Sequence, residues 1–173
     1  AIYHHFKSKE DIMLAVIERQ YDDLDEAWVE TIRDNNGMTG KEKLREMFRI
    51  AVDNTRQDEV VRSAPDMLKN PKMLMAQMES ILAESAPQFI QPIIEQGVAD
   101  GSIKTDYPQQ LAEVILLLVN LWVTPMVFNA PQEEIEKRVA VFKQILQAFN
   151  ADFIDEEMMN HFVKLYTLYT KKD

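Results

Sequence analysis

From Val114 to Val123 the chain reads Val-Ile-Leu-Leu-Leu-Val-Asn-Leu-Trp-Val, which leaves a helix no side to turn toward water. A helix that is apolar all round is buried on every side or lies in a membrane. A membrane span needs about 20 apolar residues. This run is shorter and is bounded or broken by Glu113, Asn120 and Pro125. It therefore predicts a central helix over about 107–129, capped by Asp106, with the domain core on one side and a partner subunit on the other.

The rest of the chain supplies amphipathic helices to cover it. Met13, Ile17, Tyr21, Leu24, Trp28 and Ile32 recur at steps of four and three, which predicts a helix over roughly 9–35. At about 1.5 Å per residue it spans about 40 Å. Asp22, Asp23, Asp25 and Glu26 form its solvated side, and Asn35-Asn36-Gly37 ends it. Thr39 and Glu42 have the spacing of a capping box. The helix after them puts Leu44, Met47, Phe48, Ala51, Val52 and Thr55 on one face. A helical turn is expected near 64–69.

Asn70 followed by Pro71 reads as a cap with proline at the first helical position, opening a helix over about 71–100. Pro87 and Pro92 interrupt it, so a kink or break is expected between Ser85 and Phe89. Pro131 starts a further helix with Ile135, Val139, Phe142, Leu146 and Phe149 in one narrow stripe. Such a stripe suits a helix–helix seam. A last helix over about 155–171 aligns Met158, Phe162, Leu165 and Tyr169. With no strand pattern, the fold class is all-α.

Composition agrees. The 173 residues fit one domain with a real core, and four Gly beside ten Met favour helix. No Cys is present, which excludes disulfides and thiolate metal sites. The polar, aromatic start resembles no signal peptide, so the expected location is cytoplasmic. A net charge of −10 makes the body a poor partner for phosphate backbones. Basic groups gather instead at the start, in His4, His5, Lys7 and Lys9.

That start reads Tyr3-His4-His5-Phe6-Lys7-Ser8-Lys9-Glu10-Asp11-Ile12. A crowded aromatic turn is followed by Ser8 and Asp11 at capping-box spacing, with Lys9 in the new first turn. The pattern resembles the end of the recognition helix, and the start of the next helix, in tetracycline-repressor-like (TetR) regulators. It covers about ten residues; the remainder fits the family in architecture. The resemblance implies that residues 1–8 are the remnant of a helix-turn-helix domain most of which precedes this chain. Residues 9–173 would then be the ligand-binding and dimerisation domain. It further implies that Tyr3 and His5 sit at the recognition-helix end, that Lys9 contacts phosphate, and that His4 touches the backbone. Such contacts position a protein on DNA and do not by themselves read sequence. The plainer reading is a helix end with surface His and Lys.

For the effector, Phe48, Val52, Met67, Met78, Trp122 and Met126 are the candidate pocket wall, entered near Pro87. Met adapts to irregular cavities and aromatic rings supply flat walls, which suits a small apolar or aromatic ligand. Most of these residues are ordinary core side chains on the plainer reading. No Arg or Lys falls on these inner faces, which argues against an anionic ligand. Asn120 is either a pocket anchor or a hydrogen bond across a dimer seam. Glu157 and His161 share a helix face but lack a third ligand, so no metal site is expected. No phosphate loop and no nucleophile motif occurs, so neither catalysis nor a cofactor is expected.

The sequence thus predicts the sensor half of a one-component regulator. It would be a homodimer through 107–129 and 131–150, acting with operator DNA in the intact protein. The alternatives are a helical protein-interaction module, or a lipid- or hydrophobic-ligand-binding protein without DNA binding. The effector, the operator and the sense of regulation cannot be read from these residues.

Overall fold

The computed structural model describes residues 26–53, 70–124, 127 and 130–170. The chain divides into two compact units, 1–34 and 35–173. In the first, helix α1 (Glu26–Arg33) ends just before Asn35, whose side-chain oxygen accepts from the Gly37 amide at 2.9 Å. The stop matches the one expected from Asn35-Asn36-Gly37.

The second unit contains, in order, α2 (Gly40–Asp53), α3 (Pro71–Ser80), a wide π-helical stretch (Ile81–Ile90) and α4 (Gln91–Asp100). Then come α5 (Pro108–Leu117), a second wide stretch (Leu118–Trp122), α6 (Gln132–Ala148) and α7 (Glu156–Thr170). No strand occurs among the described residues, so the architecture is all-α.

The starts of these helices follow from local chemistry. Thr39 N–H donates to Glu42 Oε2 at 2.8 Å, and Glu42 N–H donates back to Thr39 Oγ1 at 3.3 Å. That reciprocal pair is the predicted capping box. Asn70 accepts from the Lys72 amide at 3.0 Å with Pro71 first in the helix. Asp155 accepts from the Met158 amide at 3.0 Å and opens α7. At α5 the expectation for Asp106 was wrong. Tyr107 holds the cap position with no side-chain cap bond, and its own amide donates to Thr105 Oγ1 at 3.0 Å.

The expected break at Pro87 is a widening instead. From Pro71 to Asp100 the chain stays helical, and the Gln91 amide reaches back five residues to the Ala86 carbonyl. A wider turn accommodates a proline that would otherwise strike the carbonyl four residues back. Gly101, at φ 79°, then turns the chain out of α4.

The central helix is shorter and wetter than expected. It ends at Trp122, where the Val123 amide bonds the Leu118 carbonyl at 2.9 Å. Of its residues, Leu111, Ala112 and Ile115 are fully buried, while Leu116 to Trp122 are half-buried and Val114 is exposed. The stripe on α6 has the opposite fate. Ile135, Val139, Phe142 and Leu146 are all buried within this one chain, where α6 packs on α7. They form core, and a dimer seam cannot be made of them. Phe142 meets Phe153 edge-on at 6.0 Å, and Phe153 stacks flat on Phe48 at 4.0 Å.

Candidate functional site

Of the proposed pocket wall, Phe48, Met78 and Trp122 have described side chains; Val52 belongs to α2 by its backbone alone, and Met67 and Met126 lie outside the described residues. Phe48 is buried, and its ring faces Phe153. Met78, on α3, is half-buried. Trp122 is half-buried at the end of the second wide stretch. Tyr3, His4, His5 and Lys9 also lie outside the described residues.

Sequence reasoning left out two cations whose heads are held by other helices. Lys43 lies on the buried face of α2, four residues before Met47, and is 2% exposed. Its Nζ donates to Gln96 Oε1 at 2.7 Å, while Gln96 Nε2 donates to the Met38 carbonyl at 2.9 Å. Arg138, on α6, donates from Nη1 to the Trp122 carbonyl at 3.0 Å and pairs with Glu134 at 3.5 Å. The buried side of α2 therefore carries an amine, which the residue pattern did not place there. Residue type misled because long stems bury beside apolar neighbours while their heads find acceptors. No signal in the one-dimensional pattern marks either residue, since each partner lies on another helix.

Arg138 also has an architectural effect. A guanidinium at the carboxyl end of a helix satisfies a carbonyl that has no intrahelical partner and opposes the helix dipole. It thereby fixes where the central helix stops and how Trp122 is held. Asn120, the polar residue in the apolar run, turns its amide back to the Leu116 carbonyl at 2.9 Å. This local bond satisfies a donor without an acceptor from another subunit.

The amino end of α2 is clasped by α4 and by the loop after α6. Gly40 N–H donates to Asp100 Oδ2 at 2.8 Å and Lys41 N–H to Ser102 Oγ at 3.1 Å. Lys41 Nζ pairs with Asp152 at 2.7 Å. Asn150, at φ 56°, donates to the Ser102 carbonyl at 2.8 Å. The hydrogen bond and charge from Lys41 outweigh partial burial and hold the Asp152 carboxyl below its usual range. At Asp100 burial acts to raise the value, but bonds from Ser102, the Gly40 amide and Gln96 prevail and lower it. Asp152 is thus held by an ion pair and Asp100 by neutral donors.

One cleft among the described residues is lined by Arg45, Arg49, Phe153, Asp155, Glu157 and Met158. Its volume of about 10 Å³ holds no more than a water molecule. No group of three metal-ligating side chains occurs among the described residues. Glu157 is exposed while His161 is buried with its ring edge-on to Phe162, so the two do not present a shared open face. No described helix is long and apolar enough to cross a membrane.

A family model described as tetracyclin repressor-like, C-terminal domain, matches residues 49–145, more than half of the chain. The chain belongs to the tetracyclin repressor-like family. The match runs from within α2 through most of α6, so this TetR-like region contains Val52, Met67, Met78, Trp122 and Met126. Phe48 falls one residue outside it, and Tyr3 to Lys9 lie well before it. The TetR-like C-terminal domain is that of a family of ligand-binding regulators. No curated protein and no solved structure shows significant similarity to this TetR-like chain.

Proposed function

We propose that the chain is the effector-binding and dimerisation region of a ligand-responsive, DNA-binding transcription regulator, acting as a repressor that its ligand releases. The observation that carries this reading is the family match over residues 49–145. The Tyr3–Lys9 corner, with the sequence pattern of a recognition-helix end, supports it from outside that match. Two heads on a homodimer would meet successive major grooves about 34 Å apart. An effector bound preferentially by one spacing shifts the dimer toward it, and only by that difference in affinity.

The dimer surface we infer uses the faces of 107–129 and 131–150 that the chain leaves uncovered. Val114 and Val141 are 41% and 45% exposed, and Leu116 to Trp122 are half-covered. Apolar area of this kind marks an interaction face. The effector is apolar or aromatic and touches Val52, Met67, Met78, Trp122 and Met126, while Phe48 is taken up by its stack on Phe153.

The test uses a chain extended upstream through a helix-turn-helix. Fluorescence anisotropy on a palindromic duplex should show tight binding that an effector weakens. Lys9→Ala should weaken binding to all duplexes alike and lower the salt slope by about one unit. Tyr3→Ala and His5→Ala should weaken it as well. Operator affinity untouched by all three substitutions would refute the DNA-binding corner. A Trp28→Phe background isolates Trp122, whose emission should change on effector binding.

A further inference from the structure

Neighbouring apolar residues between 73 and 82 are sorted unevenly between core and surface. Met73 and Ile81 are 3% and 2% exposed, yet Met75 and Leu82 are 56% and 39% exposed. Read backward from α4, an unbroken helix that buries Ile94 and Ile90 would next bury Ala86 and then Ala83 or Leu82, at steps of three or four. The structure buries Ile94, Ile90 and Ala86, then takes a step of five to Ile81. The wide turns between Ile81 and Ile90 thus hold one residue more than an α-helix covering the same path. Everything before them is turned by one position.

We propose that residues 71–82 have a second register, one residue on, in which the wide turns close to ordinary α-helix. Helix α3 would turn by about 100° and advance by about 1.5 Å relative to α4. Two of the exchanges are apolar for apolar, and a third puts an apolar side chain in place of a polar one. Leu74 enters the place of Met73, Leu82 that of Ile81, and Met78 that of Gln77. A core accepts volume-conserving apolar swaps at small cost. The second register also completes a stripe of Met75, Met78, Leu82, Ala86, Phe89, Ile93 and Gly97 at steps of three and four. It withdraws Met75 and Leu82 from water.

Pro87 holds the present register. In a closed α-helix its ring would meet the Ala83 carbonyl, and it has no N–H to give. Pro92, tolerated now at the start of α4, would fall inside the unbroken helix. The fixed half is α4, because Gly40–Asp100, Lys43–Gln96 and the close backbone approach of Gly40 to Gly97 bind it to α2. The turning half is therefore α3. This device goes beyond the effector reading and needs no effector for its test.

The chain has no Cys, so single thiols report each position without background. In the parent chain Leu82→Cys should react with a thiol reagent about tenfold or more faster than Ile81→Cys, because reaction at the buried site waits on local opening. Adding Pro87→Ala and Pro92→Ala should reverse that order. Deleting Ala83 from the same variants removes the extra residue and should restore the parent order. An order unchanged by the two proline substitutions overturns the proposal. Loss of the helical circular dichroism signal, or equally fast labelling at both positions, overturns it too, since the core would then not accept the second register.

Discussion

The contact between Gly40 and Gly97 yields a sharp prediction. A Cβ at Gly40 would lie 2.3 Å from Gly97 N, 2.4 Å from Gly97 Cα and 2.5 Å from the Ile93 carbonyl oxygen. All three are backbone atoms of α4, so no rotamer change relieves the collision. Carbon atoms rest at about 3.5–4.0 Å, so α2 and α4 must part by about 1 Å. Overpacking of this kind costs about 1–3 kcal/mol. Parting also stretches the Gly40–Asp100 and Lys43–Gln96 bonds, each contributing about 1 kcal/mol. Alanine's better helix propensity returns no more than about 1 kcal/mol. Gly40→Ala should therefore destabilise the protein by about 2–4 kcal/mol. With a urea slope of about 2 kcal/mol per molar, the unfolding midpoint should fall by about 1–2 M. Gly97→Ala is the control. The three atoms nearest its Cβ all belong to the buried Ile103 side chain, at 2.6–3.0 Å, so the strain falls on a side chain and not on backbone, and the helix interior gains from alanine. Urea titrations followed by circular dichroism compare the two. A Gly40→Ala loss below about 1 kcal/mol, or a larger loss for Gly97→Ala, would refute the close-approach argument.

Phe142→Glu should abolish folding, seen as lost helical ellipticity at 25 °C, because the side chain is 0% exposed within a single chain. Survival of a folded monomer would show that Phe142 belongs to a subunit interface after all. Asp152→Asn should lower stability at neutral pH by about 1 kcal/mol or less, since the Lys41 pair is partly exposed. The Asp152 value is depressed on folding, so its contribution is full above the unfolded value and fades as pH falls through the folded one. Acid titrations of parent and variant should accordingly converge at low pH. Thr39→Ala should cost about 1 kcal/mol through the lost cap, measured by thermal unfolding.

What was legible in the sequence is what is settled within a few residues. Thr39 with Glu42 and Asn70 with Pro71 cap helices through bonds spanning two or three positions, and the residue types announce them. The α6 stripe was legible as a stripe, since periodicity marks which side is apolar. It does not say whether the cover comes from the same chain, and here α7 and Phe153 supply it. Pro87 announced a departure from α-helix, but widening and breaking leave the same trace in sequence. The clasp at Gly40 and the cap from Arg138 to Trp122 were not legible, because each joins residues from different helices. For the pocket wall the sequence offered only residue types. Phe48 shows the limit of that signal, since a core ring stacked on Phe153 and a ligand-facing ring read alike.

The stacking of Phe48 on Phe153 also imposes an order in time. Lys41 and Asp152, on the same two stretches of chain as that pair, are 111 residues apart. A ribosome adding about 5–20 residues per second needs about 5–20 s to pass from one to the other. Throughout that interval the apolar face of α2 has been made and its aromatic cover has not. A nascent chain in this state offers Phe48 and its neighbours to any holdase within reach. Completion of the fold then waits on the stretch around Phe153 leaving the exit tunnel, and a chain that stops short of it keeps an unsealed core.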